Sequence, residues 1–291
     1  MVDQIAGFPI TTDPTSGKHV LDQQETTPAC ANSSDQVGCF PTVKSPGNAR
    51  YPITFFAGIH PGDAISLSDD PKLVQAARDT VDAVNAVNWW SPTNGLCMAW
   101  PPASRVSNDA EATLAQFDKA LDSTLQPNLW PWIENRPTGG WGCPAEQAGA
   151  TLAINDLLMQ GHEGFIRLFP AGWAADSPAS FTTLLAGDGG FVVSAATAGG
   201  GVPKDVEVTS LAGKRCSVLL PRGWSSVVVH KLTDGRVGKA VAVELERRGF
   251  GLAAPTKLSH FATVVGGRYS LADGAQRDAP PPKMARSFGL Q

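Results

Sequence analysis

The stretch from Glu146 to Pro170, EQAGATLAINDLLMQGHEGFIRLFP, decides how this chain is read. Ala150, Ile154, Leu157 and Leu158 recur at three- and four-residue spacing, which predicts one buried face of an amphipathic helix running from 146 to about 162. Gly161 and Gly164 break that helix. Phe165, Ile166, Leu168 and Phe169 then form a short apolar run that ends at Pro170. Upstream the chain reads as helices and long loops, and beyond Ala175 as short strands. A helix at this seam that opens on a carboxylate, Glu146, beneath a Gly-rich loop is the place to look for a site.

Working outward toward the start, Asp70 and Pro71 form a helix-start signal. Val74, Ala77, Val81 and Val84 supply the buried stripe of a helix over 69–89, which ends near Trp89 and Trp90. Ser91 to Gly95 reads as a loop, and Trp100-Pro101-Pro102 as a stiff apolar elbow. Asp109 opens a helix over 109–125, with Leu114, Phe117, Leu121 and Leu125 inward and Pro127 as its stop. Residues 130–145, crowded with Trp, Pro and Gly, read as a long loop of the functional kind. Residues 1–50 show little periodicity and read as an extended arm or loop. The turn His60-Pro61-Gly62-Asp63 follows the apolar run 51–59.

Outward in the other direction, the hydrophobic spacing changes from 3.6 to two residues. Phe191 and Val193, Val206 and Val208, Cys216 and Val218, and Val227 and Val229 alternate between Gly-rich turns, as do Val241, Val243 and Leu245. This pattern predicts a small antiparallel domain over 176–271, built as a two-layer sandwich. The tail 272–291, with Pro280-Pro281-Pro282, reads as disordered. No internal repeat is visible.

With 42% hydrophobic and 17% charged residues, the chain has the composition of an ordinary globular protein. A net charge of -4 shows no basic excess, which argues against nucleic acid or an anionic membrane as partner. No apolar run reaches the ~18 residues of a spanning helix. The start, Met1-Val2-Asp3-Gln4-Ile5, lacks a signal-peptide pattern, while Asn32-Ser33-Ser34 is a glycosylation acceptor pattern that has meaning only in a secreted protein. Cys30 and Cys39 are close enough in a polar loop to close a small disulfide, and no Cys/His spacing fits a zinc site. No cofactor is expected. Eight tryptophans against two tyrosines leave room for indole faces that stack on sugars as well as for core packing.

The central residues also carry a resemblance. Leu157-Leu158-Met159-Gln160-Gly161-His162-Glu163-Gly164, followed by Ile166-Arg167-Leu168-Phe169-Pro170, resembles the last barrel helix of the α-L-fucosidase-like glycoside hydrolases of family 95. Ala179 to Leu184 and Gly190 to Ala195 are similar to that family's passage into its C-terminal β domain. The likeness spans roughly residues 45 to 220. It implies an α+β protein of several parts, in which 51–175 are the C-terminal helices of an (α/α)6 barrel and 176–271 a small β-sandwich. It further implies hydrolysis of a terminal α-linked sugar with inversion, an oligosaccharide or glycoconjugate as partner, and secretion for the full-length family.

In that family the catalytic base is an aspartate just before the last barrel helix. Ala145 falls at that position here, so the resemblance makes Glu146, one residue later, the catalytic candidate, with Gln147 or Asn135 orienting water. Glu146 is also what the dipole favours in any first helical turn. Gln147, Asn94, Trp100, Trp130, Trp141 and His60 are the candidate substrate contacts, although His60 equally suits a turn. The segment 50–56 lacks the histidines that the family usually carries there. A full barrel needs twelve helices, and at ~11 residues each plus loops this chain has room for about four before its strands. The reading is therefore of a C-terminal part that lacks the family's general acid and is completed by an N-terminal half or a homo-oligomer. A non-catalytic carbohydrate-binding or interaction remnant, using the Trp-rich loops, is the other function class.

Overall fold

The computed structural model describes residues 8, 10–13, 16–21, 56–86, 95–125, 144–186, 190–248 and 256–276. These form a mixed α/β protein whose sheets are mostly antiparallel. The chain divides into two compact units, Met1–Asp156 and Leu157–Gln291.

The first unit begins with a hairpin of β1 (Ile10–Thr12) and β2 (His19–Leu21), so part of the predicted arm is ordered strand. Its turn closes where the Ser16 amide and hydroxyl donate to Asp13 Oδ2 at 2.8 and 2.7 Å. The Leu21 amide donates to Thr80 Oγ1 at 2.8 Å, tying the hairpin to α1 (Pro71–Ala86). Asp70 caps α1 by accepting the Lys72 amide at 2.7 Å, and Val74, Ala77 and Val84 are buried along the expected stripe.

Next come α2 (Gly95–Met98) and α3 (Trp100–Val106). The predicted elbow at Trp100-Pro101-Pro102 is instead the start of α3. Proline lacks an N–H that the first turn of a helix leaves unused, and its fixed φ suits that turn. In α4 (Ala110–Thr124), the Asp109 side chain accepts the Ala112 amide at 2.8 Å, and Phe117 and Ala120 face inward.

In α5 (Pro144–Leu158) the predicted stripe holds in part: Leu157 is buried and Ala150 and Leu158 pack against buried clusters, but Ile154 does not. Glu146, Gly149, Ala153, Asp156 and Leu157 are buried, whereas Ile154 is 39% exposed. Small and charged residues share the inner stripe, which a count of large apolar residues does not pick out. The helix also stops at Leu158. Met159 and Gln160 form β3, paired antiparallel with β4 (Arg167–Leu168), so the chain folds back over Gly161 to Gly164 instead of continuing as helix to 162.

The second unit holds a six-stranded sheet in the order β10-β9-β13-β7-β6-β5 and a three-stranded sheet in the order β11-β12-β8. In chain order these are β5 (Ala179–Ala186), β6 (Phe191–Thr197), β7 (Pro203–Ser210), β8 (Cys216–Leu219), β9 (Val227–Thr233), β10 (Arg236–Val241), β11 (Glu244–Arg248), β12 (Thr256–Phe261) and β13 (Arg268–Asp273). One buried cluster takes Phe191, Val193, Val208 and Val229 from the larger sheet, with Cys216, Val218 and Phe261 from the smaller. Met159, Ile166, Leu168 and Phe169 join the same cluster. That packing draws the segment after α5 into the strand unit, ahead of the seam that hydrophobic spacing put at 175.

Two further expectations change here. Leu245 does not continue the inward series of Val241 and Val243 but is 61% exposed. The chain leaves one sheet after Val241 and enters the other at Glu244, which resets the alternation. Ala272 to Gln276, the described part of the predicted tail, are ordered: Asp273 Oδ1 accepts the amide and hydroxyl of Ser225, both at 2.9 Å, and a 3₁₀ turn follows at Gly274–Gln276, while 277–291 lie outside the described residues. Gly199 shows why a glycine stands in one tight loop of this unit. Its φ is 145°, and a Cβ there would lie 2.0 Å from the Ala175 carbonyl oxygen.

Candidate functional site

Glu146 sits in the first turn of α5 and is 2% exposed. Its Oε2 accepts the backbone amide of Cys97 at 2.9 Å, and its Oε1 accepts the Cys97 thiol at 3.5 Å. The close approach of α2 to α5 explains how the carboxylate reaches that amide. A Cβ on Gly149 would lie 2.1 Å from the Cys97 Cα, so only glycine permits the contact. The side chain is thus a fixed acceptor at a helix N-terminus, an environment that favours negative charge.

The other candidates scatter. Gln147 is exposed on the outer side of α5, and its carbonyl accepts the Thr151 hydroxyl at 3.0 Å. Trp100 is 1% exposed and packs edge-on to Phe117, with ring centroids 5.0 Å apart, which is a core position. Asn94, Trp130 and Trp141 lie outside the described residues, as do Trp89, Trp90, Trp132, Asn135 and the cysteine pair Cys30 and Cys39. The remaining tryptophans serve the strand unit. Trp224 donates from Nε1 to the Pro203 carbonyl at 3.1 Å, and Trp173 packs edge-on to Phe169.

His60 is half-buried near a charged cluster that the sequence did not signal. Arg105, buried on α3, donates from Nε to Asp156 Oδ2 at 2.9 Å and from Nη1 to the Ile59 carbonyl at 3.0 Å, and also pairs with Asp63. Burial, with the Arg105 charge second, pushes the His60 imidazole below its ordinary range, while Asp63 opposes the shift. Burial pushes the Asp156 carboxyl up to about 6 although Arg105 pulls the other way. A helical carboxylate three or four residues from apolar neighbours gives no hint of a distant arginine, so this pairing was legible only in three dimensions.

Asp156, its carboxyl pushed up to about 6, can hold a proton near neutrality, yet it cannot pair with Glu146 across one glycosidic bond. Ten residues of one helix separate them, roughly 15 Å along its axis. Inverting glycosidases need about 6.5–9.5 Å between their two carboxyl groups. Glu146 therefore supplies at most one half of such a pair. Among the described residues, no group of three or more His, Cys, Asp or Glu is placed to hold a metal ion, and no helix is long and apolar enough to cross a membrane. In comparison with known proteins, no family model matches this chain, and no curated protein matches it.

Proposed function

We propose that this chain is the C-terminal part of an α-L-fucosidase-like glycoside hydrolase that cleaves a terminal α-linked sugar with inversion. In this reading α1 to α5 are late helices of an (α/α)6 barrel, and the six- and three-stranded sheets of the second unit form its β-sandwich. The observation that supports it most is the succession of elements, from α5 through the β3–β4 turn-back into antiparallel sheets, in the order that the resemblance implies. Glu146 is the base that activates water, since a fixed, acceptor-only carboxylate suits that role. The acid comes from a complementing N-terminal half.

A second reading is favoured by one specific feature. The burial of Glu146 and its two bonds to Cys97 are also what a structural latch requires, which would leave a non-catalytic carbohydrate-binding or interaction remnant. An assay on aryl α-L-fucoside and α-galactoside separates the two. The expected result is no turnover by the chain alone, turnover when the upstream helices of an α-L-fucosidase-like enzyme are added, and a loss of ~10²–10⁴-fold in Glu146→Gln. Turnover by the isolated chain contradicts the need for a second half. Unimpaired Glu146→Gln in an active mixture removes Glu146 as the base, and an inactive mixture that still retains oligosaccharide selects the binding reading.

A further inference from the structure

β8, β12 and β11 lie side by side, so alternate residues along these strands share a face. The register places Ser217 opposite His260, with Glu246 one diagonal step away, opposite Leu258. Ser217 Oγ lies 2.8 Å from His260 Nδ1, and His260 Nε2 lies 2.9 Å from Glu246 Oε2. Arg248 Nε donates to the second oxygen of Glu246 at 2.7 Å. Glu244, directly across from His260, is engaged by Arg215 at 2.7 Å.

An ionised carboxylate only accepts hydrogen bonds, so Glu246 fixes the proton of neutral His260 on Nε2. Nδ1 then carries the lone pair, and the Ser217 hydroxyl donates to it. Nucleophile, base and orienting carboxylate stand in the relation that activates a serine. His260 is 4% exposed, so packing holds its ring in place, while Ser217 and Glu246 both keep part of their surface in solvent.

We propose that Ser217 is an acyl-accepting nucleophile toward carboxylic esters, with His260 as its general base and Glu246 as the positioning carboxylate. This activity is separate from the sugar chemistry of the first unit. Ser217 Oγ bonds to the ester carbonyl carbon while its proton passes to His260 Nδ1. The same proton then goes to the leaving alcohol oxygen as the ester C–O bond breaks. Water hydrolyses the acyl-serine through the same imidazole, releasing the acid and returning the proton to Oγ.

The test treats the full chain with a fluorophosphonate, which exchanges its P–F bond for a bond to Ser217 Oγ, followed by intact mass and peptide mapping. The expected result is one adduct, on Ser217. Ser217→Ala removes it, and His260→Gln slows it by about 10²–10⁴-fold. Glu246→Gln, a change at a partly exposed strand position, slows it as well without altering the circular dichroism spectrum. Its amide donates to Nε2 and so moves the histidine proton to the wrong nitrogen. No adduct on Ser217 overturns the proposal, as does a labelling rate unchanged in Glu246→Gln. If the three side chains only tie the strands together, Glu246→Gln lowers stability and leaves Ser217 as inert as any other serine.

Discussion

At the scale of single residues, the Arg105–Asp156 pair and Gly149 make the sharpest demands. Asp156 has a folded-state pKa raised to about 6 from an ordinary 3.8, chiefly by burial. Its sign follows from linkage. The folded state binds that proton more tightly, so the stability this adds is fully present below pH 3.8 and is lost as pH rises through about 6. Acidification from pH 7 to 5 should therefore stabilise the chain through this group, and Asp156→Asn should flatten that part of a urea-midpoint profile. Arg105→Met leaves the buried carboxylate without its partner. It should cost about 3–5 kcal/mol at pH 7 and clearly less at pH 5, where Asp156 takes up a proton instead. Gly149→Ala tests the helix contact beneath Glu146. Helix propensity alone would favour alanine by ~1 kcal/mol, but the new Cβ would meet Cys97 backbone at 2.1 Å. Denaturation should show a net loss of about 1–3 kcal/mol or more, and a gain would mean the two helices can part at no cost.

At the scale of elements, adjacent strands of the small sheet offer a direct contrast. Leu258 on β12 is 1% exposed and Leu245 on β11 is largely in solvent. Leu258→Ala should cost about 2–5 kcal/mol, and Leu245→Ala should stay within about 0.5 kcal/mol, both read from denaturant midpoints. Equal effects would show that β11 does not present the face described. The same pair explains what the sequence could convey. Alternation correctly picked out the inward residues of β6 to β9, because each of those strands stays within one sheet and packs one face. It misplaced Leu245 because nothing in Val241 to Glu244 announces that the chain changes sheet. Helix caps at Asp70 and Asp109 were legible since capping is local chemistry. α3 was not, since two prolines read as a break and only their place at a helix start makes them compatible with it. The inner face of α5 was hidden in part for another reason, its stripe including Glu146, Gly149, Ala153 and Asp156 beside the larger apolar Leu157.

At the scale of the whole molecule, a helical unit carries Glu146 and a strand unit carries Ser217, His260 and Glu246. The candidate site was half legible. Glu146 was found through a resemblance to a family motif and lies at a helix start as expected, but its bond to the Cys97 amide depends on a contact 49 residues away in sequence. The Arg105 cluster depends on similar long-range packing. The central claim, an inverting hydrolase completed by a second helical half, is tested most directly by the anomeric form of the first sugar released. An aryl α-L-fucoside should be incubated with the complemented chain and the anomeric protons followed by NMR before mutarotation sets in. β-Fucose should appear first, and Glu146→Gln should slow its appearance by ~10²–10⁴-fold. Initial release of α-fucose, or no release of sugar from any complemented mixture, would contradict the claim.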